Sequence, residues 1–294
     1  IYKDDIDKLI EIGDADFSFS ISNVGRFRVN AYKQRNSLSA VIRVVQFALP
    51  DPLALHIPTS LIDLSKAKKG MVLVTGPAGS GKSTTLACMI DQINRNRNTH
   101  IITIEDPIEY LHSHQKSIVS QREVYHDTLD YVSALRAALR EAPEVILVGE
   151  MRDLETIETA ITAAETGHLI LSSLHTVGVA NTIDRIIDVF PSTQQQQIRV
   201  QLSMVLNAVV SQQLLPSVDG KMIPVFEVMI CNQAIRTLIR EGKTHQIDNV
   251  IASQKQAGMI TMDDAIVELY KQGKISQETA LMYASHPGNI EKKL

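Results

Sequence analysis

The chain has 294 residues, 44% of them hydrophobic and 21% charged, with a formal net charge of −4; that is room for one large domain or two small ones. No window approaches the roughly eighteen uninterrupted apolar residues of a membrane span, and the N-terminus shows no basic-then-apolar signal pattern, so a protein working in water inside the cell is expected. Cys88 and Cys231, the two cysteines, encode neither a disulfide framework nor a zinc ribbon, and the mildly acidic balance argues against a dedicated nucleic-acid binder.

The chain opens on Ile1 rather than Met, so an N-terminal portion is expected ahead of it and the domain count is a lower bound. FSFSI at 17–21 and RFRVNAY at 26–32 alternate apolar and polar residues, with Asn23-Val24-Gly25 as turn chemistry between them. This predicts an antiparallel hairpin in a small N-terminal module. Pro50, Pro52 and Pro58 then mark a linker to about residue 58. Four short apolar runs follow, at 71–75, 100–104, 145–148 and 168–171, separated by segments of helical spacing. Buried parallel strands alternating with helices account for them and give a three-layer α/β core. The glutamines at 194–197 read as the exposed start of a long helix, and beyond Leu215 the pattern turns helical. Helices are expected at 233–241, 244–256, 262–271 and 276–284, with Gly242, Gly258 and Gly273 as stops.

The strongest chemical signal is Gly76-Pro77-Ala78-Gly79-Ser80-Gly81-Lys82-Ser83, followed by Thr84, set between a strand and a helix. In that context the glycines let backbone N–H groups wrap a β-phosphate, and the helix N-terminus adds its dipole. Lys82 is expected to reach the β- and γ-phosphates, and Ser83 to ligate Mg²⁺; the ligand is ATP or GTP. A second strand ends in Val148-Gly149-Glu150. With glycine where many P-loop enzymes carry aspartate, Glu150 is the candidate general base, although a solvated glutamate at a strand end fits the spacing too. Glu105 and Asp106 follow a third strand and should face the same crevice, where Glu105 can orient water or Mg²⁺. Arg136, Arg140 and Arg152 lie near these strands; Arg26, Arg28, Arg35 and Arg43 lie in the N-terminal module. Most arginines are solvated or paired, but a ring-forming NTPase supplies arginines to a neighbour's γ-phosphate, which makes the second set trans candidates.

GPAGSGKST, TIEDPIEY, VILVGEMRDLET, AAETGHLILSSLHT and AIRTLIREGK together resemble the secretion-superfamily ATPases, and among them the type IV pilus retraction ATPases. The resemblance covers nearly the whole chain. It implies a RecA-like P-loop ATPase core at 59–294 with a helical C-terminal subdomain from about 216, preceded at 1–58 by part of a PAS-like α+β domain and linker. It places the Walker A motif at 76–84, the Asp box at 104–110, an atypical Walker B at 145–153 and the His box at 164–176. Glu150 then corresponds to the catalytic glutamate, Glu105 to the Asp-box acid and His175 to a histidine near the γ-phosphate. It further implies ATP and Mg²⁺ as ligands, a homo-hexameric ring, an inner-membrane pilus platform protein as partner, no nucleic acid, and a cytoplasmic place at the membrane face without insertion into it. Assembly and type II secretion relatives usually carry a paired CxxC zinc insertion, which two isolated cysteines do not form.

The segment Ala234-Ile235-Arg236-Thr237-Leu238-Ile239-Arg240-Glu241-Gly242-Lys243 resembles the motif needed for retraction, with Thr237 where asparagine is commoner. Spacing puts Ile235, Leu238 and Ile239 on one helical face and Arg236, Arg240 and Lys243 largely on another. On spacing alone this is a helix packing into its own domain; the resemblance makes it a contact helix for ring function. The functional reading is an ATP-driven retraction motor, with a pilus-assembly or secretion ATPase, a nucleic-acid translocase and a non-catalytic nucleotide-binding ring as alternatives. Two histidines frame the last strand. His175 should emerge at the nucleotide crevice, with Thr176 as N-cap of the next helix, whereas His168 enters at the opposite end and reads as a structural or interface residue.

Overall fold

The computed structural model describes residues 3–21, 24–45 and 49–294 and divides into two compact units, residues 1–49 with 108–113 and residues 50–107 with 114–294. In the smaller unit α1 (Lys3–Glu11) precedes β1 (Asp14–Ile21), β2 (Gly25–Gln34) and β3 (Ser37–Val45), an antiparallel sheet in that order. Period-two alternation sends Ala15, Phe17 and Val29 to one face, where Leu9 of α1 packs against them. The opposite face carries Arg26, Arg28 and Arg43, with Arg28 and Arg43 directly paired across β2 and β3. Arg35 stands apart, in the turn between those strands. Asn23 of the expected turn lies outside the described residues. β3 is an addition to the expected hairpin: SLSAVIRVV is apolar at both parities, so alternation gives no signal there.

The larger unit runs α2 (Thr59–Ile62), β4 (Gly70–Thr75), α3 (Lys82–Asn96), β5 (His100–Glu105), β6 (Ile118–Glu123), α4 (Tyr131–Ala138), β7 (Val145–Val148), α5 (Leu154–Glu165), β8 (Leu169–Leu174), α6 (Val179–Asp188), α7 (Ser192–Val205), β9 (Leu206–Pro216) and β10 (Met222–Ile230). It ends in α8 (Gln233–Glu241), α9 (Ile247–Ser253), α10 (Met262–Lys271), α11 (Gln277–Tyr283) and α12 (Pro287–Ile290). Among the described residues its sheet has seven strands, ordered β10-β9-β4-β8-β7-β5-β6, parallel except for the β9–β10 pair. β4, β7 and β8 are buried at every position, which is why they read as unbroken apolar runs. Alternate residues feed two layers. Met71, Leu73, Ile102 and Ile146 pack with α4–α9, while Val72, Val74, Ile101 and Val145 pack with α2 and α3. A third cluster joins the far ends of β9 and β10, through Leu215, Ile223 and Val225, to α10–α12.

Three expectations change. The expected domain boundary near residue 58 falls between Leu49 and Pro50, because residues 50–57 fold onto the larger unit: Ile57 is buried in its core, and Ile57 N–H donates to Pro52 O at 2.8 Å. The helical C-terminal segment begins at Gln233 rather than near 216, since β9 and β10 occupy 206–216 and 222–230. α7 turns into β9 at Leu206 with no glycine or proline to mark the change, so the helical pattern runs on in the sequence but not in the backbone. Pro224 is tolerated in β10 because that strand is at the sheet edge. Finally, β8 starts at Leu169, leaving His168 just outside it.

Candidate nucleotide site

The site forms at the carboxyl ends of the parallel strands, where open α/β sheets gather ligands. β4 leads straight into Gly76, whose φ of +142° and packing admit no side chain: a Cβ there would lie 2.1 Å from the Gln212 carbonyl oxygen. The loop ends at Gly81, the N-cap position of α3, so the first-turn amides of Lys82, Ser83 and Thr84 stand where an anion is favoured. Lys82 is buried, and its ammonium donates to Gly76 O and Pro77 O, both at 2.9 Å, and faces His175 Nδ1 at 3.5 Å. Since an ammonium only donates, His175 Nδ1 accepts and the imidazole proton sits on Nε2. That nitrogen is 3.4 Å from Glu150 Oε2, the same oxygen that Arg152 Nε reaches at 2.7 Å.

Glu150 is held by its flanks. Gly149 N–H donates to Ile104 O at 2.8 Å, Ser173 Oγ donates to Gly149 O at 2.6 Å, and Met151 N–H donates to Ser173 O at 3.2 Å. Gly149 is favoured by space: a Cβ would meet Ile104 O and Tyr131 Oη at 3.1 Å and Glu105 Cα at 3.3 Å. An aspartate at this position would require those neighbours to give way by a few tenths of an ångström. Asp153, which ends the same motif, caps α5 by accepting from Thr156 N–H at 2.9 Å.

Glu105 closes β5, its Oε1 accepting from Thr103 Oγ1 at 2.6 Å and from Gln121 Nε2 at 3.3 Å. Partial burial, and then the nearby Asp106 and Glu150 carboxylates, hold the Tyr131 hydroxyl well above the usual phenol range, so this half-buried ring marks where the acidic side chains converge. Hydrogen bonding to Glu150 likewise raises Arg152 and fixes it as a cation. Of the core arginines singled out in the sequence, Arg152 alone joins this group. Arg136 instead approaches Glu155 at 3.9 Å, and Arg140 donates to Arg136 O.

The two histidines separate as expected in position. His175 follows the carboxyl end of β8. His168 precedes the other end, its Nδ1 donating to Ala163 O at 2.9 Å at the close of α5. Thr176 is not the N-cap of α6. Gly178 holds that position, and Thr176 Oγ1 bonds Thr182 Oγ1 at 2.7 Å instead. On α8, Asn232 accepts from Ile235 N–H at 3.0 Å, and Ile235 and Ile239 are buried with Leu238 packed beside them. Arg236 is not turned outward for a partner. Its Nη1 donates to Ser203 O and Met204 O, capping the end of α7. Ala234 lines an open groove with Thr237 and Leu238, and Arg240 Nη2 donates to Thr237 Oγ1 at 3.2 Å.

Gln212 is the residue the sequence did not disclose. From β9 its Nε2 donates to Ser80 O at 2.7 Å and its Oε1 accepts from Thr85 Oγ1 at 2.8 Å, clamping both sides of the loop. It also lines a cavity of about 680 Å³ beside the start of α3, with His56, Ile57, Gly81, Thr84 and Leu214. A strand reading of 206–216 would have brought Gln212 alongside β4 and the loop.

Residues 14–285 match the family model described as type II/IV secretion system protein. A twitching motility protein of Neisseria gonorrhoeae is 49% identical over 268 residues, 91% of this chain and 72% of the relative. The type IV pilus retraction ATPase PilT of Pseudomonas aeruginosa is 47% identical over 280 residues, 95% of this chain and 81% of the relative. Among solved structures, the pilus retraction motor PilT with bound ADP superimposes with a TM-score of 0.94 at 49% identity, covering 99% of this chain and 83% of that one.

Proposed function

Because the chain belongs to the type II/IV secretion system protein family, we propose that it is a motor ATPase that hydrolyses ATP to power retraction of a type IV pilus. The observation that carries this reading is the relay from Lys82 through His175 to Glu150, which ties the phosphate loop to a carboxylate at the end of the neighbouring strands.

ATP enters with its β- and γ-phosphates in the loop and its nucleoside in the cavity beside Gly81, Thr84 and Gln212. Lys82 exchanges its carbonyl acceptors for phosphate oxygens and releases His175 to meet the γ-phosphate. Glu150 takes the proton of the attacking water as its oxygen bonds to the γ-phosphorus and the bond to ADP breaks. Glu105 orients that water or the ion. The Ser83 hydroxyl supplies a hard oxygen donor, and with bridging waters it would hold Mg²⁺ shared with a triphosphate. Mg²⁺ held there would supply positive charge that offsets the charge of the triphosphate. In a homo-hexamer, Arg26, Arg28 and Arg43, which share one face of the small sheet, are the arginines offered to a neighbour's γ-phosphate; Arg35 is off that face. Its partner is a platform protein at the pilus base. No helix of the described residues is long and apolar enough to cross a membrane, and a peripheral place at the cytoplasmic face fits that partner. Deletion in the source organism tests the direction of work: pili retained or in excess with twitching lost is expected, and bald cells contradict retraction.

A further inference from the structure

The chain that carries His175 is anchored, three residues on, by a buried pair outside the nucleotide site. Ser211 of β9 and Glu227 of β10 face each other in register. Ser211 Oγ accepts from Gly178 N–H and Glu227 Oε2 accepts from Val179 N–H, both at 3.0 Å, so the two strands hold the first amides of α6. Only Thr176 and Val177 separate this anchor from His175.

Glu227 has a second helix on it. The backbone amide of Met262, the first residue of α10, lies near enough to the same carboxylate to favour its charged form. Beside it Val228 and Ile260 exchange backbone hydrogen bonds of 2.9 and 3.1 Å, which lays the lead-in to α10 along β10. One carboxylate, 6% exposed, therefore sits at the N-termini of two helices, where orphan amides and the helix dipoles favour an anion. Met262 packs in one cluster with Ile266 of α10, Ala280 of α11 and Ile290 of α12. A shift of Met262 is thus a shift of the C-terminal helices as a body, because packed cores move between discrete arrangements rather than stretch.

We propose that Glu227 is a positioning residue that transmits movement of the His175 loop to the C-terminal helical layer, so that the nucleotide state at the γ-phosphate sets the position of α10–α12. The proposal rests on the reading of His175 as a γ-phosphate contact. A residue that only stabilised the fold would support α10 equally in every nucleotide state. Glu227 differs in that it lies between the Val179 amide of the sensing loop, which it accepts from, and the start of the layer that responds, which Val228 and Ile260 hold against its strand.

The test is amide hydrogen exchange of the full chain with ADP and with ATPγS, read over residues 262–283 and, as an internal control, over residues 76–84. In the wild type the two nucleotides should give exchange in 262–283 that differs by about fivefold or more, the scale of a local opening equilibrium shifted by a bound ligand. Glu227→Ala should abolish that difference while the loop at 76–84 still responds, with kcat lowered about tenfold and KM within about twofold. Val179→Pro is the second variant. Proline is accepted at the first position of a helix, and here it removes the N–H that Glu227 accepts. It too should lose the difference. A difference of wild-type size in either folded variant overturns the proposal, as does a wild type whose loop responds but whose residues 262–283 do not. A wild type without any response at 76–84 overturns the nucleotide-site reading itself, and this proposal with it.

Discussion

His175 stands between Lys82 and Glu150, with Nδ1 3.5 Å from the Lys82 ammonium and Nε2 3.4 Å from the Glu150 carboxylate. The imidazole is thereby fixed in one tautomer at the meeting of the phosphate loop and the end of β7. His175→Ala is expected to lower kcat by about ten- to a hundredfold at near-constant KM, as removal of a contact made mainly in the transition state does. His168→Ala should leave turnover within about threefold and cost about 1 kcal/mol of stability, the worth of one hydrogen bond to the end of α5. Steady-state phosphate release and denaturant unfolding of the two proteins check both halves. A loss of turnover confined to His168→Ala contradicts the assignment.

Gln212 offers a second test. Gln212→Leu keeps the volume but strips the partners from Ser80 O and Thr85 Oγ1, both at buried contacts. Each group left unpaired costs about 1–3 kcal/mol. Nucleotide affinity measured by titration calorimetry should fall at least about tenfold, the loop having lost the strut that shapes it. Unchanged affinity contradicts the clamp.

Gly149→Asp would restore the residue that many P-loop enzymes carry before the glutamate. Here its Cβ meets Ile104 O, Tyr131 Oη and Glu105 Cα, so Glu150 must shift. Overpacking of this kind costs about 1–3 kcal/mol, and turnover should fall by at least about tenfold. Activity retained at the wild-type level would show that the strand end yields without moving Glu150.

Burial pushes the Glu227 carboxyl up to about 7. The Val179 and Met262 amides oppose that rise and the Asp248 and Asp263 carboxylates add to it; His286 in turn bonds Asp263. A carboxyl whose pKa is raised by folding favours the folded state while protonated. Its contribution is full below the unfolded value near 4.5 and is lost as pH rises through about 7. At about 1.4 kcal/mol per unit, this amounts to about 3 kcal/mol. Glu227→Gln has no proton to lose, so its stability relative to wild type should rise by about 2–3 kcal/mol between pH 4.5 and pH 8 in urea unfolding. A difference that stays flat with pH contradicts the buried, titrating carboxyl.

What was legible in the sequence follows from how each feature is enforced. The loop at 76–83 demands particular residues at fixed spacing, and β4, β5, β7 and β8 are buried enough to read as apolar runs. Two other strands carry no such mark: the edge strand β6 holds Ser120, Gln121 and Arg122, and the interior strand β9 continues from α7 without a break. With β9 hidden, Gln212 could not be placed against the loop, since a buried glutamine and an exposed one look alike in sequence. Arg236 shows the converse. Helical spacing set it on a face other than that of Ile235, Leu238 and Ile239, but gave no sign that the end of α7 supplies carbonyls to hold it.

The most direct measurement of the central claim is phosphate release by Glu150→Gln beside the wild type, with ATP affinity measured on both proteins. Loss of the base without loss of the phosphate grip predicts kcat lower by about a hundredfold or more and ATP affinity within about threefold. Turnover within about twofold of wild type would contradict Glu150 as the base and the relay from Lys82 through His175 as the site of hydrolysis.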